Sequence, residues 1–298
     1  MKHLIPAALL FTSGTAFGFG AAGHKVVCEI AWLELTPSTR AAVEGLMARE
    51  RNPEFKSFAK ACLWADAPEQ KRGPRRTGHY INVPRGTRTI RHDRCVVNRP
   101  CLFSAIRDDI RVLRSKAAPE RRWEALKYLG HWMADLHQPL HVSFADDRGA
   151  NDVLLERGSG CPNLHAYWDS CLPESAMRAR GFDPADRRGT GKFARLLHGS
   201  VTGSERARWA VPFRAEVVAD ESFGIARQKA FLYCTDRKNS CRWSPGSLKR
   251  RKVDSRTVKI PSSYAFGYGK VVTARLKAAG VRLGALLNDI FSTTSPEP

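Results

Sequence analysis

The stretch Gly130–His141, GHWMADLHQPLH, can be helical only as far as Gln138, because Pro139 lacks an amide hydrogen and its ring collides with the preceding turn. Three histidines and an aspartate therefore crowd one helix end. His131 and Asp135 are four residues apart and share a helical face, where they can grip one cation from two sides. His141 follows the break, so it takes another direction and can reach a second ion. The same spacing recurs in NLHAYWDS at His165 and Asp169. A lone pair of this kind is more often a helix cap or a surface ion pair. Two pairs in so short a span, with His141 beside them, point to a multinuclear metal site.

Other segments carry apolar residues at three and four spacing and predict helices over 24–35, 38–50, 102–117, 121–138, 220–233 and 270–291. Thr36-Pro37-Ser38 is a helix start, and Gly280 interrupts the last pattern without ending it. Between them, 67–100 and 143–163 are rich in Gly, Pro and Arg, with HYINV readable as a short extended segment. There is no fixed repeat and no linker-like change of composition. One mainly α domain over 19–298 is expected.

Residues 1–18 have the layout of a secretory signal: Lys2, the apolar LIPAALLF, then small residues at Ala16 and Gly18. That run is too short to span a bilayer. The mature chain is expected to begin at Phe19 and to be secreted or periplasmic, with no membrane anchor. Eight cysteines fit an oxidising compartment. The close pairs Cys95/Cys101, Cys161/Cys171 and Cys234/Cys241 suggest themselves, leaving Cys28 with Cys62, although roughly a hundred pairings of eight cysteines exist. No CxxC spacing makes them metal ligands. The formal charge is +20, from 49 Lys and Arg against 29 Asp and Glu. Such a field attracts polyanions, whether nucleic acid, anionic membrane or cell-wall polymer.

His24 in FGAAGH, Asp66 in LWADA and His79 in GHYIN each have a structural explanation alone, as a cap or a satisfied histidine. Taken in order with LGHWMADLHQPLH, FADDRGAN and LHAYWDS, they resemble the zinc-dependent class I nucleases: the fungal single-strand-specific and plant bifunctional enzymes, related in fold to bacterial zinc phospholipases C. The resemblance covers nearly the whole mature chain. It implies a single-domain, mainly α, phospholipase C-like helical fold with long loops and three zinc ions. Carried onto this sequence, Asp66, His79, His131 and Asp135 would hold the first ion. The α-amino and carbonyl groups of Phe19, with His24 and a bridging Asp135, would hold the second, and His141, His165 and Asp169 the third. The family's mature N-terminus is typically tryptophan; main-chain atoms are the ligands, so Phe19 suffices. His137 matches no ligand position and is expected to be structural.

For the substrate, the resemblance places Tyr80 where an aromatic stacks on a base and Asn151 where a side chain binds phosphate. Asn82 stands where some members have aspartate; an amide also donates, so the family's base preference does not carry over. Lys71 either substitutes for a basic residue that the family has two positions earlier, where Glu69 stands here, or extends the basic loop. The implied reaction is hydrolysis of single-stranded DNA and RNA to 5′-phosphate products, with 3′-nucleotidase activity plausible. A metal-activated hydroxide would attack in line, oriented by Asp66, and the third zinc would stabilise the leaving 3′ oxygen. A stacking pocket beside buried metals favours unpaired strands, although basic patches also hold duplexes. A monomer with no protein partner is expected. The competing readings are a zinc phospholipase C acting on phospholipid phosphodiesters, and a non-catalytic protein that sequesters zinc or coats nucleic acid.

Overall fold

The computed structural model describes residues 19–186, 188–234 and 256–292. The expected leader, and the Cys234/Cys241 pairing through Cys241, lie outside the described residues. Twelve α-helices are described: α1 Gly20–Glu34, α2 Pro37–Met47, α3 Phe58–Ala61, α4 Pro68–Arg72, α5 Leu102–Arg114, α6 Pro119–His137, α7 Leu164–Ala166, α8 Leu172–Arg178, α9 Gly189–Gly199, α10 Gly203–Trp209, α11 Ala215–Ala226 and α12 Ser262–Ser292. The described strands are short: β1 (Ile81–Val83) pairs in parallel with β2 (Val142–Phe144), and β3 (Val153–Leu155) with β4 (Arg256–Val258). The mainly α expectation holds, and no described helix is long and apolar enough to cross a membrane.

Helices α1, α6 and α12 form the centre, with α5 on α6 and α9 on α1. Two glycines let α12 approach α1 closely. A β-carbon at Gly280 would lie 2.4 Å from Ile30 Cβ, and one at Gly284 2.4 Å from Glu34 Cβ. Gly280 therefore costs helix propensity but makes the contact possible, and the helix runs through it. Thr36 caps α2 through Thr39 N, with Pro37 at the first turn, as expected.

From Ala125 to His137 every residue of α6 is buried. A helix covered on all sides is usually apolar all round. This one buries His131, Asp135 and His137, so each must find a partner. The helix stops at His137; Pro139–His141 make a 3-10 turn that leads into β2. HYINV is extended where β1 pairs with β2, and this pairing sets the Tyr80 to Asn82 segment beside the end of α6.

Among the described residues, disulfides join Cys28 to Cys62, Cys95 to Cys101 and Cys161 to Cys171, as the spacing suggested. Two helices differ most from expectation: α12 begins at Ser262 rather than 270, and the other lies at 220–233. The 220–233 pattern is α11 over Ala215–Ala226 followed by a 3-10 turn at Lys229–Phe231, with Leu232 at φ 68 redirecting the chain. Helices α8 to α10 lie in an arginine-rich region where sequence periodicity is faint. The capping box Thr202/Glu205 that starts α10 was the readable signal there.

Candidate metal centre

Three groups of His and Asp side chains bring ligand atoms within 4.8 Å of one another: His24, Asp66 and His131; His79, His131 and Asp135; His141, His165 and Asp169. Asp135, on α6, sits between them. Its Oδ2 lies 3.1 Å from His79 Nδ1 and 3.3 Å from His131 Nε2, whereas its Oδ1 lies 3.5 Å from His24 Nε2 and 3.7 Å from His141 Nδ1. Its two oxygens thus face two different sets of histidines.

The imidazoles are oriented by backbone carbonyls, which only accept. His131 Nδ1 donates to Cys62 O at 2.8 Å, His141 Nδ1 to His79 O at 2.6 Å and His165 Nδ1 to Gly149 O at 2.6 Å. Each of these rings therefore turns Nε2 toward the carboxylates, and in its neutral form that atom carries the lone pair that metal binding requires. The carbonyls of Cys62 and Gly149 are themselves placed by local constraints. Cys62 is tied to Cys28 by a disulfide packed against Gly130, where a β-carbon would meet Cys62 Sγ at 2.4 Å. Gly149 lies between Arg148 (φ 53) and Ala150 (φ 65), with φ 66 of its own. A β-carbon there would meet Leu140 O at 2.7 Å. Two non-glycine residues in left-handed backbone cost about 1–3 kcal/mol each. Asp147 holds the turn by accepting from Ala150 N, Tyr233 OH and Arg85.

The second His/Asp pair departs from a plain α-helix. His165 lies on α7, but Tyr167–Cys171 is a π-helical turn, a widening often found at functional sites. His165 Nε2 still reaches Asp169 Oδ2 at 3.3 Å. Gln138 donates from Nε2 to Asp169 Oδ1 at 2.5 Å and accepts from Leu140 N, so it fixes the carboxylate and the Pro139 turn together. Sequence reading missed Gln138; its place in the HQPLH turn was the available signal.

Charge and hydrogen bonding are unbalanced in a way that a cation would correct. Both His24 nitrogens, both Asp66 oxygens, Asp135 Oδ1, His141 Nε2 and Asp169 Oδ2 are buried without a hydrogen-bond partner. Burial works against a charged His141, yet Asp135 and Asp169 push it up to about 9. Burial likewise opposes a charged His131, but Asp135 and Asp66 raise it. At Asp135 burial favours the neutral form, and the adjacent His131 and His141 overturn this and hold the carboxyl well below its usual range. Burial keeps His24, His79 and His165 low. Without a cation the carboxylates thus hold protons on His131 and His141; a divalent ion that displaced those protons would find imidazole nitrogens beside ionised carboxylates, a donor set suited to zinc-like ions.

The centre floors a cleft of about 640 Å³ lined by Asp66, Lys71, Tyr80, Asn82 and Asn151, among others. All the substrate residues expected from the sequence therefore meet at one opening. Lys71 Nζ sits 3.2 Å from Asp66 Oδ1, and Asn151 Nδ2 donates to Arg148 O at 2.7 Å. Phe19 is fully buried at the start of α1, with its carbonyl accepting from Gly23 N at 3.0 Å. His137 joins none of the three groups. Arg76 and Arg148 also line the cleft, and neither was expected.

A family profile described as S1/P1 Nuclease matches residues 19–292. The chain belongs to the S1/P1 nuclease family. Endonuclease 2 of Arabidopsis thaliana is 26% identical over 302 residues, covering 97% of this chain and 96% of that protein. Endonuclease 3 of the same plant is 27% identical over 93% of this chain and 90% of its own length. Nuclease S1 of Aspergillus oryzae is 27% identical over 59% of this chain and 62% of its own. This S1/P1 nuclease is thus a phosphodiester-cleaving enzyme of a metal-dependent family, and its His/Asp groups can bind metal ions.

Proposed function

We propose that the chain is an exported, three-zinc endonuclease that cleaves single-stranded DNA and RNA to 5′-phosphate products, with 3′-nucleotidase activity alongside. The observation that carries this reading is Asp135, whose two carboxylate oxygens divide between His79 with His131 on one side and His24 on the other. Asp66, His79, His131 and Asp135 would hold one ion. His24, Asp135 and the main-chain amine and carbonyl of Phe19 would hold the second, the amine being released by cleavage after Gly18. His141, His165 and Asp169 would hold the third. When bound, the ions supply water acidified far below its bulk value, to about 7, and neutralise charge on the phosphoryl group.

The chain's own residues do the rest. Asp66, with Lys71 beside it, orients the attacking water. Tyr80 at the cleft wall stacks on an unpaired base, a contact of about 1–3 kcal/mol that tolerates any base. Asn151 and Lys71 face the phosphate, and Asn82 contacts the base edge from β1 with an amide that can donate as well as accept. A base inside a duplex cannot enter such a cleft without leaving its stack, which favours single strands. The basic surface strengthens the same binding. Export through residues 1–18 to a periplasmic or extracellular compartment agrees with the disulfides among the described residues.

The deciding experiment is zinc stoichiometry on N-terminally sequenced protein, followed by hydrolysis of single-stranded DNA and RNA with and without a chelator. Three zincs, an N-terminus at Phe19 and chelator-sensitive cleavage are expected. Cleavage indifferent to chelation, or protein without zinc, would overturn the proposal. Hydrolysis of phosphatidylcholine in place of oligonucleotides would assign the centre to lipid.

A further inference from the structure

Beyond the metal centre, the segment 94–107 carries arginines that the chemistry above does not use. The Cys95–Cys101 disulfide closes a loop that is stitched to the rim of the cleft. Leu102 N donates to Tyr80 O at 3.1 Å, and Asn82 N donates to Asn98 Oδ1 at 3.4 Å. Asn98 Nδ2 in turn donates to Thr77 O at 3.3 Å. The loop therefore moves with the Tyr80 and Asn82 side of the cleft as one piece.

On this loop opens a groove of about 440 Å³ lined by Arg94, Arg99 and Arg107. Asp108, also in its wall, is engaged by Arg111 at 3.0 Å. Arg107 faces Asp93 at 3.4 Å in a pair half exposed on both sides, which a phosphate can exchange at little cost. The Arg94 side chain has no ion pair among the described residues. On the same loop Val96 and Val97 are 51% and 48% exposed, a rare adjacent apolar pair beside guanidinium groups. Positive charge that follows a backbone, next to apolar surface that bases can cover, is what a sequence-independent strand contact needs.

We propose that this loop is an exosite for single-stranded nucleic acid, with Arg94 and Arg107 binding phosphates beyond the cleft and Arg76, exposed on the cleft wall, carrying the strand across the rim. The inference rests on the polynucleotide reading given under Proposed function. It assigns the loop to strand length: a dinucleotide fills the cleft alone, and only a longer chain reaches the arginines.

The test is the double variant Arg94→Glu/Arg107→Glu of the zinc-loaded enzyme, assayed on a thymidine dinucleotide and on a long oligothymidylate. Zinc content and thermal unfolding first establish that the variant is folded. For the long substrate KM is expected to rise about tenfold with kcat unchanged, and the salt dependence of binding to become shallower by about 1.4 in log–log slope, two phosphates lost. Dinucleotide kinetics stay as in the wild type. Equal effects on both substrates, or on neither, would overturn the exosite. So would loss of binding to phosphatidylserine vesicles with oligothymidylate kinetics intact, which would make the loop a lipid contact. Fluorescence anisotropy with the labelled oligothymidylate separates the two readings. Wild-type binding without hydrolysis would sink the nuclease proposal, while a loss of that binding in the variant would still support the exosite.

Discussion

His131 and His137 lie on one helix, both fully buried, and both donate from Nδ1 to a backbone carbonyl, Cys62 O and Met133 O respectively. Their Nε2 atoms meet opposite charges. His131 faces Asp135 at 3.3 Å and Asp66 at 3.9 Å. His137 accepts from Arg282 Nη1 at 3.0 Å, and its carbonyl accepts from Arg275 Nε at 3.1 Å. Burial, reinforced by Arg275 and Arg282, holds His137 far below its usual range, so it stays neutral. Both arginines are balanced by Glu221, at 2.6 and 2.7 Å. Burial and ring tautomer are the same on the two faces of α6, and the sign of the neighbours differs. One face has its positive charge covalently built in; the other leaves carboxylates that need positive charge supplied from outside. The same residue type is structural in one setting and a metal ligand candidate in the other.

The largest effect should come from removing the carboxylate that divides the first two groups. Asp135→Ala is expected to lower kcat/KM by about a thousandfold or more, with loss of bound metal measured on the same sample. Full activity in this variant would erase the contrast between the two faces. Arg282→Met tests the other face. It removes a buried cation from His137 and Glu221 and is expected to cost about 3 kcal/mol of stability, read from a urea midpoint. Metal content and kcat of the folded fraction should not change. Metal loss at unaltered stability would show that the arginine face serves the centre after all.

The contrast also shows what could be read in advance. The helix end at Pro139, the His131/Asp135 pair and the extended INV of HYINV are local patterns, fixed by backbone sterics and helical period, and the structure has each of them, whereas the His165/Asp169 pair meets across a π-helical turn. The non-local parts were less legible. That Asp135 turns its two oxygens to different histidines depends on α1 and the 3-10 turn ending at His79 arriving beside α6, which no spacing within α6 encodes. Arg275 and Arg282 lie seven residues apart on α12, two helical turns, but nothing in that spacing names His137 as their partner. Family resemblance supplied the long-range pairing of motifs, and it did so for ligands but not for the residues that orient them.

Those orienting residues give the smaller predictions. Gly130 opens the stretch GHWMADLHQPLH because the Cys28–Cys62 disulfide occupies the space of its side chain. Disulfide sulfurs cannot swing aside as a flexible side chain would. Gly130→Ala is expected to destabilise the protein by about 1–3 kcal/mol in chemical denaturation. Because the strain falls on Cys62, whose carbonyl orients His131, metal affinity should fall with it. Stability loss with unchanged affinity would mean that the carbonyl does not set the ring.

Gln138 gives the smallest effect and the finest division of the centre. Its amide holds Asp169 Oδ1, while Asp169 Oδ2 faces His165 Nε2. In Gln138→Leu the carboxylate loses the amide that holds Oδ1 and is free to rotate away from His141 and His165. Supporting hydrogen bonds of this kind are worth at least roughly tenfold in metal affinity. The loss should fall on one ion, that of the third group, because the Gln138 side-chain amide bonds the carboxylate of Asp169 and not that of Asp135. Stepwise chelator titration resolves this: the most weakly held metal should leave at lower chelator concentration than in the wild type, with the others unmoved. The buried Leu140 amide, orphaned by the same change, adds a stability cost of about 1–3 kcal/mol, so the titration belongs at a temperature where both proteins are folded. If all metals weakened together, the three groups would behave as one cooperative cluster, and the division between the α6 carboxylate and the π-helical Asp169 would have no energetic meaning.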